Sequence, residues 1–210
     1  MPELKPRRTP KRRSSQSIVT AILDAAGELL VDAGLSGMTT NAIAKRAGVS
    51  VGSLYQYFPN KQAVCAGIAG RVNTRLLEAL QDALQRDAEP YERLDAAIAV
   101  ICSSEIGSHD VRRALLEYVP RSWEESRIGE TEQALIELFA PLFAEIAPDL
   151  TPEDRVQRQQ VVMFAVRGAV QGLMLHGMDL LGEARLRSWL RAMVVAAFDH
   201  PSPGADSLPG

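Results

Sequence analysis

The residues whose types and spacing could do chemistry lie between Thr39 and Lys61, in the stretch TTNAIAKRAGVSVGSLYQYFPNK. The chemistry they offer is hydrogen bonding and close surface contact from short, mostly uncharged side chains. Two short helical patterns meet there at a glycine. Thr39 is placed to cap the first, since a threonine oxygen accepts a free amide of the opening turn. Ile43, Ala44 and Ala47 recur on one face, with Lys45 and Arg46 on the other. Gly48 suits the left-handed conformation that ends a helix, and Ser50 can cap a second start. The second helix is predicted over Val51 to Phe58, stopping before Pro59.

Leu54 and Phe58, four apart, reach toward a core. The pattern leaves Val51, Gly52, Ser53, Gln56 and Tyr57 outside, small or polar, with no charge among them. A solvated helix normally carries Lys and Glu at such positions. A helix entering the DNA major groove needs a slim leading end and neutral hydrogen-bonding tips. Helix, glycine turn, helix is the helix-turn-helix arrangement; an ordinary helical hairpin has the same spacing.

Thr39-Thr40, Ile43-Ala44, Ala47-Gly48-Val49-Ser50, Gly52, Leu54-Tyr55, Tyr57-Phe58-Pro59, Asn60 and Lys61 carry a dense resemblance. They resemble the DNA-binding domain of the tetracycline-repressor-like (TetR) family of bacterial transcription regulators, over roughly residues 15 to 65. The resemblance implies that Val51, Gly52, Ser53 and Gln56 lie near base edges, and that Thr40, Tyr55, Tyr57 and Lys61 lie at phosphates. Physical chemistry adds that the Gln56 amide can pair with adenine and the Val51 methyls can meet a thymine methyl. Lys61 opens a helix, where its ammonium and the free amides favour one phosphate. Lys45 and Arg46 face away from the second helix and are read as solubility or peripheral phosphate contacts.

The positioning elements are all helical. The chain has 210 residues and 46% hydrophobic content, enough for a sizeable core or two small ones. The net charge of −3 hides an asymmetry: residues 1 to 61 carry nine Lys/Arg against four Asp/Glu, and no lysine follows Lys61. A basic head on an acidic body suggests that the head alone meets a polyanion. Residues 1 to 14 hold three prolines and six basic residues and are expected to be a disordered arm, either tracking DNA or simply solvated. A first helix from near Ser15 carries Ile18, Ile22, Ala25, Ala26, Leu29, Leu30 and Ala33 on one stripe and ends at Gly34. From Lys61 to about Arg86 runs a long helix, about 40 Å at the usual rise.

Further helices are expected over Tyr91 to Ser108, Asp110 to Val119, Glu125 to Ile146, Thr151 to about Leu181, and Ala184 to Asp199. Glu105 is odd on an apolar face, and Pro141 falls inside a helical pattern, where a kink is expected. Val161 to Val166 is apolar all round, as in a central buried helix. Residues 200 to 210 read as a disordered tail. The fold class is therefore all-α: a three-helix helix-turn-helix domain over 15–62, then a larger ligand-binding and dimerisation domain over 63–199.

Enzyme motifs are missing: no phosphate loop after a strand, no nucleophile elbow, no Cys/His metal cluster. His109, His176 and His200 lack metal-ligand spacing. Cys65 and Cys102 lie in apolar helical patterns and read as buried free thiols of a cytoplasmic protein. No cofactor and no metal is expected, and no apolar run reaches the length of a membrane span.

By analogy with the family, an effector cavity lies between the central helices of the C-terminal domain. Its candidate lining is Ile98, Cys102, Tyr118, Trp123, Phe139, Phe143, Phe164, Arg167 and Met174, each of which also fits plain core. Such a lining suits a largely hydrophobic small molecule. A homodimer is expected through Gly168, Ala169 and Gly172 on one helix and Trp189, Leu190, Met193 and Ala197 on the last. The reading is a dimeric repressor that binds a palindrome in double-stranded DNA and is released by an effector.

Overall fold

A computed structural model describes residues 13–103, 108–118, 121–176 and 184–199, with the side chains of 13–15, 117–118 and 121–132 outside that set. All regular structure among the described residues is helical. The chain forms two compact units, Met1–Arg75 with Glu105–Ile128, and Leu76–Ser104 with Gly129–Gly210.

The first unit holds α1 (Arg13–Gly37), α2 (Thr40–Arg46), α3 (Val51–Tyr57), the opening turns of α4 (Lys61–Leu84) and α6 (His109–Tyr118). In α1, Ile22, Ala26, Leu29 and Leu30 recur at helical spacing and are buried. Gly34 breaks the helix with φ 63° and ψ −174°, and one further turn follows it. Thr39 then caps α2 by accepting from the Ala42 amide at 3.1 Å.

The turn out of α2 is built on Gly48, whose φ is 67°. The Val49 amide donates back to Ala44 O at 3.0 Å and the Gly48 amide to Lys45 O at 3.3 Å. This is the paired closure of a Schellman turn, which satisfies carbonyls that the helix end would orphan. Two residues later Ser50 Oγ accepts from the Ser53 amide at 2.9 Å and starts α3. The direction of α3 is thus fixed by backbone closure before any side chain packs.

One core gathers these helices. Ile22, Leu30, Met38, Ile43, Leu54, Phe58, Val64 and Ile68 are all essentially inaccessible, and Ala114 and Leu115 of α6 join them. The chain therefore returns to the first unit after leaving it along α4, and α6 packs with α1 in that compact body rather than in the second.

The second unit holds the end of α4, α5 (Pro90–Cys102), the later turns of α7 (Arg121–Ile146), α8 (Pro152–Leu175) and α9 (Ala184–Asp199). α9 packs on both α5 and α8. Arg158, near the start of α8, donates to Ala197 O near the end of α9 at 2.9 Å, so the two run antiparallel. Phe143 stacks on Phe198 at 4.3 Å, and Phe139 on Phe143 at 5.9 Å. Arg93 reaches Leu84 O at the end of α4 and pairs with Glu145 of α7. α7 runs through Pro141 as one helix, and the buried Gln159 amide donates to Ile136 O at 2.8 Å, on the stretch where the proline interrupts the ladder.

Element boundaries differ from the predicted ones mainly at ends. α5 stops at Cys102, not near Ser108, and Glu105 lies outside the described residues, as do the basic arm and the C-terminal tail. α8 ends at Leu175 with His176 as its cap. The expectation that Val161 to Val166 is central and buried needs correction. Val162 and Val166 are buried, but Val161 is 67% and Phe164 54% exposed. α8 has two apolar faces: one packs inside the unit through Val162, Val166, Val170 and Met174, and the other faces out. Among the described residues no helix is long and apolar enough to cross a membrane.

The Schellman turn makes a direct prediction. Gly48→Ala places a Cβ in the left-handed region and should cost about 1–2 kcal/mol, read as a fall in melting temperature. An unchanged melting temperature would show that this turn does not hold the fold.

Candidate nucleic-acid interface

α3 divides cleanly between core and surface. Leu54 and Phe58 are buried as expected, and so is Tyr57, at 7% exposure. The placement of Tyr57 on the outer face is therefore corrected. Three residues after Leu54, its ring falls on the buried side and joins the first unit's core. Val51 is half-buried and packs against that core, so its methyls are only partly free for a thymine. Gly52, Tyr55 and Gln56 form the exposed face, with Ser53 at its margin.

The polar groups around α3 are pre-arranged. Ser53 Oγ lies 2.8 Å from Ser50 Oγ, so the cap holds the Ser53 hydroxyl as well as its amide. Thr40 Oγ1 and Tyr55 OH meet at 3.2 Å, joining the start of α2 to the middle of α3 with two hydroxyls in solvent. Such paired hydroxyls are suited to phosphate oxygens. Lys61 is half-buried and donates to Leu35 O at 3.2 Å, in the last turn of α1. An ammonium has three donors, so two remain for a phosphate, but the residue also ties α4 to α1. Asn60 Oδ1 accepts from the Ala63 amide at 2.8 Å and caps α4, a role the sequence pattern did not single out.

Arg46 does not reach outward as a phosphate contact. It pairs with Asp32 at 2.9 Å and Glu28 at 3.3 Å on α1, and these partners raise its pKa, the Asp32 hydrogen bond most. Asp32 and Glu28, four apart on α1, were the missed signal for this pairing. Lys45 stays exposed.

The other predicted sites sort by burial. Ile98, Cys102, Phe139, Phe143 and Met174 are buried in the second unit. Phe139 and Phe143 are committed to the stack with Phe198. Phe164 and Arg167 are exposed, with the guanidinium 5.7 Å from the ring centre, so they do not line an interior. They turn outward because the buried stripe of α8 runs through Val162, Val166 and Val170, on the opposite side. The side chains of Tyr118 and Trp123 lie outside the described residues.

Of the dimer candidates, Gly168 and Ala169 are exposed, Gly172, Met193 and Ala197 half-buried, and Trp189 is 55% exposed. Leu190 is buried within its own chain, because it shares the α9 stripe of Leu186, Val194 and Phe198. It is removed from the free face. Val161, Ala165 and Leu175 belong there instead.

Burial pushes the Cys65 thiol up to about 11, despite the opposing charge of Lys61. It is protonated at neutral pH and a poor nucleophile. Among the described residues no three His, Cys, Asp or Glu side chains are grouped to hold a metal ion.

A short exposed helix seated on its neighbour by a glycine turn, with uncharged polar tips flanked by hydroxyls and an ammonium, defines a helix-turn-helix DNA-binding protein. Residues 22–67 match the model of a family described as bacterial regulatory proteins, tetR family. The chain is 27% identical over 196 residues to an HTH-type transcriptional regulator of Mycobacterium tuberculosis, covering 92% of this chain and 91% of that one. It is 35% identical over 74 residues to the transcriptional repressor KstR of Mycolicibacterium smegmatis, covering 35% and 36%. The solved structure of the fatty acid degradation regulator FadR from Bacillus halodurans shares the fold, with TM-score 0.66 at 17% identity, covering 84% and 97%. Residues 22–67 thus carry the pattern of the DNA-binding domain of bacterial tetR-family regulators, and the chain is similar over most of its length to an HTH-type transcriptional regulator.

Two substitutions separate the two faces of α3. Tyr57→Ala should destabilise the protein by about 3 kcal/mol through the cavity it leaves, whereas Gln56→Ala should leave the melting temperature unchanged and weaken only specific DNA binding. Thermal melts paired with titrations on specific and random duplexes distinguish them; equal melting temperatures for both variants would return Tyr57 to the surface. Lys61→Ala should both lower the melting temperature slightly and reduce the salt slope of binding by about one.

Proposed function

We propose that the chain is a dimeric repressor that reads a palindromic operator and leaves it when a small, largely hydrophobic effector binds the second unit. The observation that carries the dimer is the second apolar face of α8. Val161, Phe164, Ala165, Gly168, Gly172 and Leu175 follow helical spacing and meet solvent or half-meet it. Trp189, Ala192, Met193 and Ala196 repeat the pattern on α9. A methyl built on Gly168 or Gly172 finds nothing within 4 Å, so neither glycine is required by packing within the chain. Exposed apolar stripes on two antiparallel helices suit a four-helix contact across a two-fold axis.

A dimer also answers the arithmetic of recognition. One seven-residue helix spans few base pairs; two, about 34 Å apart, span one turn of DNA and read a palindrome. In this reading Gly52, Ser53 and Gln56 face base edges, with Val51 contributing at the margin, and Thr40, Tyr55 and Lys61 hold phosphates.

The effector reading rests on the chain's path. Ile98 and Cys102 of α5 lead by a short connection to α6, whose Ala114 and Leu115 are part of the DNA-binding core. A ligand that shifts α5 within the second unit would be felt in the first through α4, α6 and α7. Buried Ile98, Cys102, Phe139, Phe143 and Met174 give the second unit an apolar interior suited to a hydrophobic ligand, and FadR, of the same fold, is by name a regulator of fatty acid degradation. Two buried free thiols fit work in the cytoplasm.

Gly172→Arg tests the dimer. A charged side chain at the centre of the contact should give monomers at micromolar concentration with much weaker operator binding. Sedimentation velocity of both proteins decides: a wild-type monomer bound singly to a half-site would remove the interface and the mechanism together.

A further inference from the structure

Three contacts hold α4 against the rest of the first unit. At its start Lys61 donates to Leu35 O at 3.2 Å. At Gly67 it comes so close that a methyl would stand 2.8 Å from Leu23 Cδ2 and 3.1 Å from Phe58 Cε1. One turn further, Arg71 Nη1 donates to Asp24 Oδ1 of α1 at 2.6 Å. The two polar ties, at 61 and 71, are about 15 Å apart at the helical rise, with the apolar contact between them. Apolar contact resists separation but is non-directional; a hydrogen-bonded ion pair has a preferred direction. The ties on either side of Gly67 therefore set the angle at which α4 leaves, and Arg71 is the outer one. The first unit ends at Arg75, and α4 continues to Leu84 in the second. Arg71 is half-buried and Asp24 exposed, so the pair adds little to stability. Asp24 also heads a stripe. Glu28 and Asp32 follow it at intervals of four on α1, and both hold Arg46 of α2. One acidic face of α1 thus orients α2, which leads into α3, and α4, which leads out of the unit.

We propose that Arg71 and Asp24 are positioning residues whose ion pair fixes α4 against the first unit, and thereby the half-site spacing that the dimer accepts. This rests on the dimeric reading, in which the path from the shared contact to each α3 runs along α4. Each base pair inserted between two half-sites moves one of them by about 3.4 Å and turns it by roughly a tenth of a helical turn. A unit held at one angle to α4 cannot follow that displacement. A unit that swings about the Gly67 contact follows it in part, so operators of the wrong spacing gain on the right one. The pair itself touches no DNA. It acts on discrimination between spacings, not on the reading of bases by either α3.

The experiment uses the full chain as wild type, Arg71→Ala, Arg71→Lys and Arg46→Ala. The probes are a duplex enriched by the wild type from a random-sequence pool, and the same duplex with one base pair added or removed at its centre. The wild type should bind the enriched duplex more tightly than either altered one. Arg71→Ala should lower that preference about fourfold, from the loss of about twofold at each of two units, with a melting temperature close to that of the wild type. Arg71→Lys, which keeps the charge, should recover most of the preference. Arg46→Ala removes ion pairs of the same stripe but leaves α4 tied, and should keep the wild-type preference whatever it does to overall affinity. An unchanged preference in Arg71→Ala, a lysine variant no better than the alanine one, or an equal loss in Arg46→Ala would overturn the inference and leave the dimeric reading intact. A large fall in melting temperature for Arg71→Ala would overturn it too, by showing that the pair holds the fold itself. A wild type indifferent to spacing would overturn the dimeric reading, and the inference with it.

Discussion

The placement of α3 depends on one backbone closure, the turn at Gly48. With φ at 67°, the chain turns back so that Val49 and Gly48 donate to Ala44 O and Lys45 O. An L side chain at that position is disfavoured, so the angle between α2 and α3 is set by a residue with no side chain at all. Packing then makes the angle rigid. Leu54, Tyr57 and Phe58 together bury three large side chains, each contributing about 2 kcal/mol on transfer from water. The consequence for function is positional: α3 can present Gly52, Tyr55 and Gln56 outward only because its other side is fully spent on the core.

The same economy of faces explains the second unit. α8 has one apolar stripe for its own chain and another that its chain does not use. Gln159 sits at the start of the buried stripe and gives its amide to Ile136 O, so even the one buried polar side chain among the described residues is engaged in joining α8 to α7. From Val161 onward the outer face of α8 carries Val161, Phe164, Ala165, Gly168, Ala169 and Leu175, with Arg167 lying beside Phe164, while Gln157 and Gln160 are exposed before it. Long helices that are apolar on two sides need two partners.

Much of this was legible in the sequence, and the limits are physical. The caps Thr39, Ser50 and Thr151 and the turn at Gly48 are local, and the structure places each where its residue type predicts. Tyr57 was misplaced because a tyrosine has an apolar ring and a polar tip, and its type alone does not say which one decides its face. Leu190 and Trp189 are neighbours, yet one is buried and the other exposed, and only the register of Leu186, Val194 and Phe198 separates them. Phe164 and Arg167 are expected with Met174 in one lining, yet Met174 is buried with Val162, Val166 and Val170 while the other two face out, because helical spacing alone does not say which side a neighbour occupies. The inclusion of α6 in the first unit's core is a long-range fact, carried by Ala114 and Leu115, that no local pattern encodes.

The central claim is that α3 enters the major groove twice, once from each chain of a dimer. Dimethyl sulfate attacks guanine N7, which lies in the major groove, and so reports that entry directly. On a duplex enriched by the wild-type protein, the account predicts two short clusters of protected guanines about one helical turn apart. A single cluster, or bound DNA whose N7 positions all stay reactive, would contradict it.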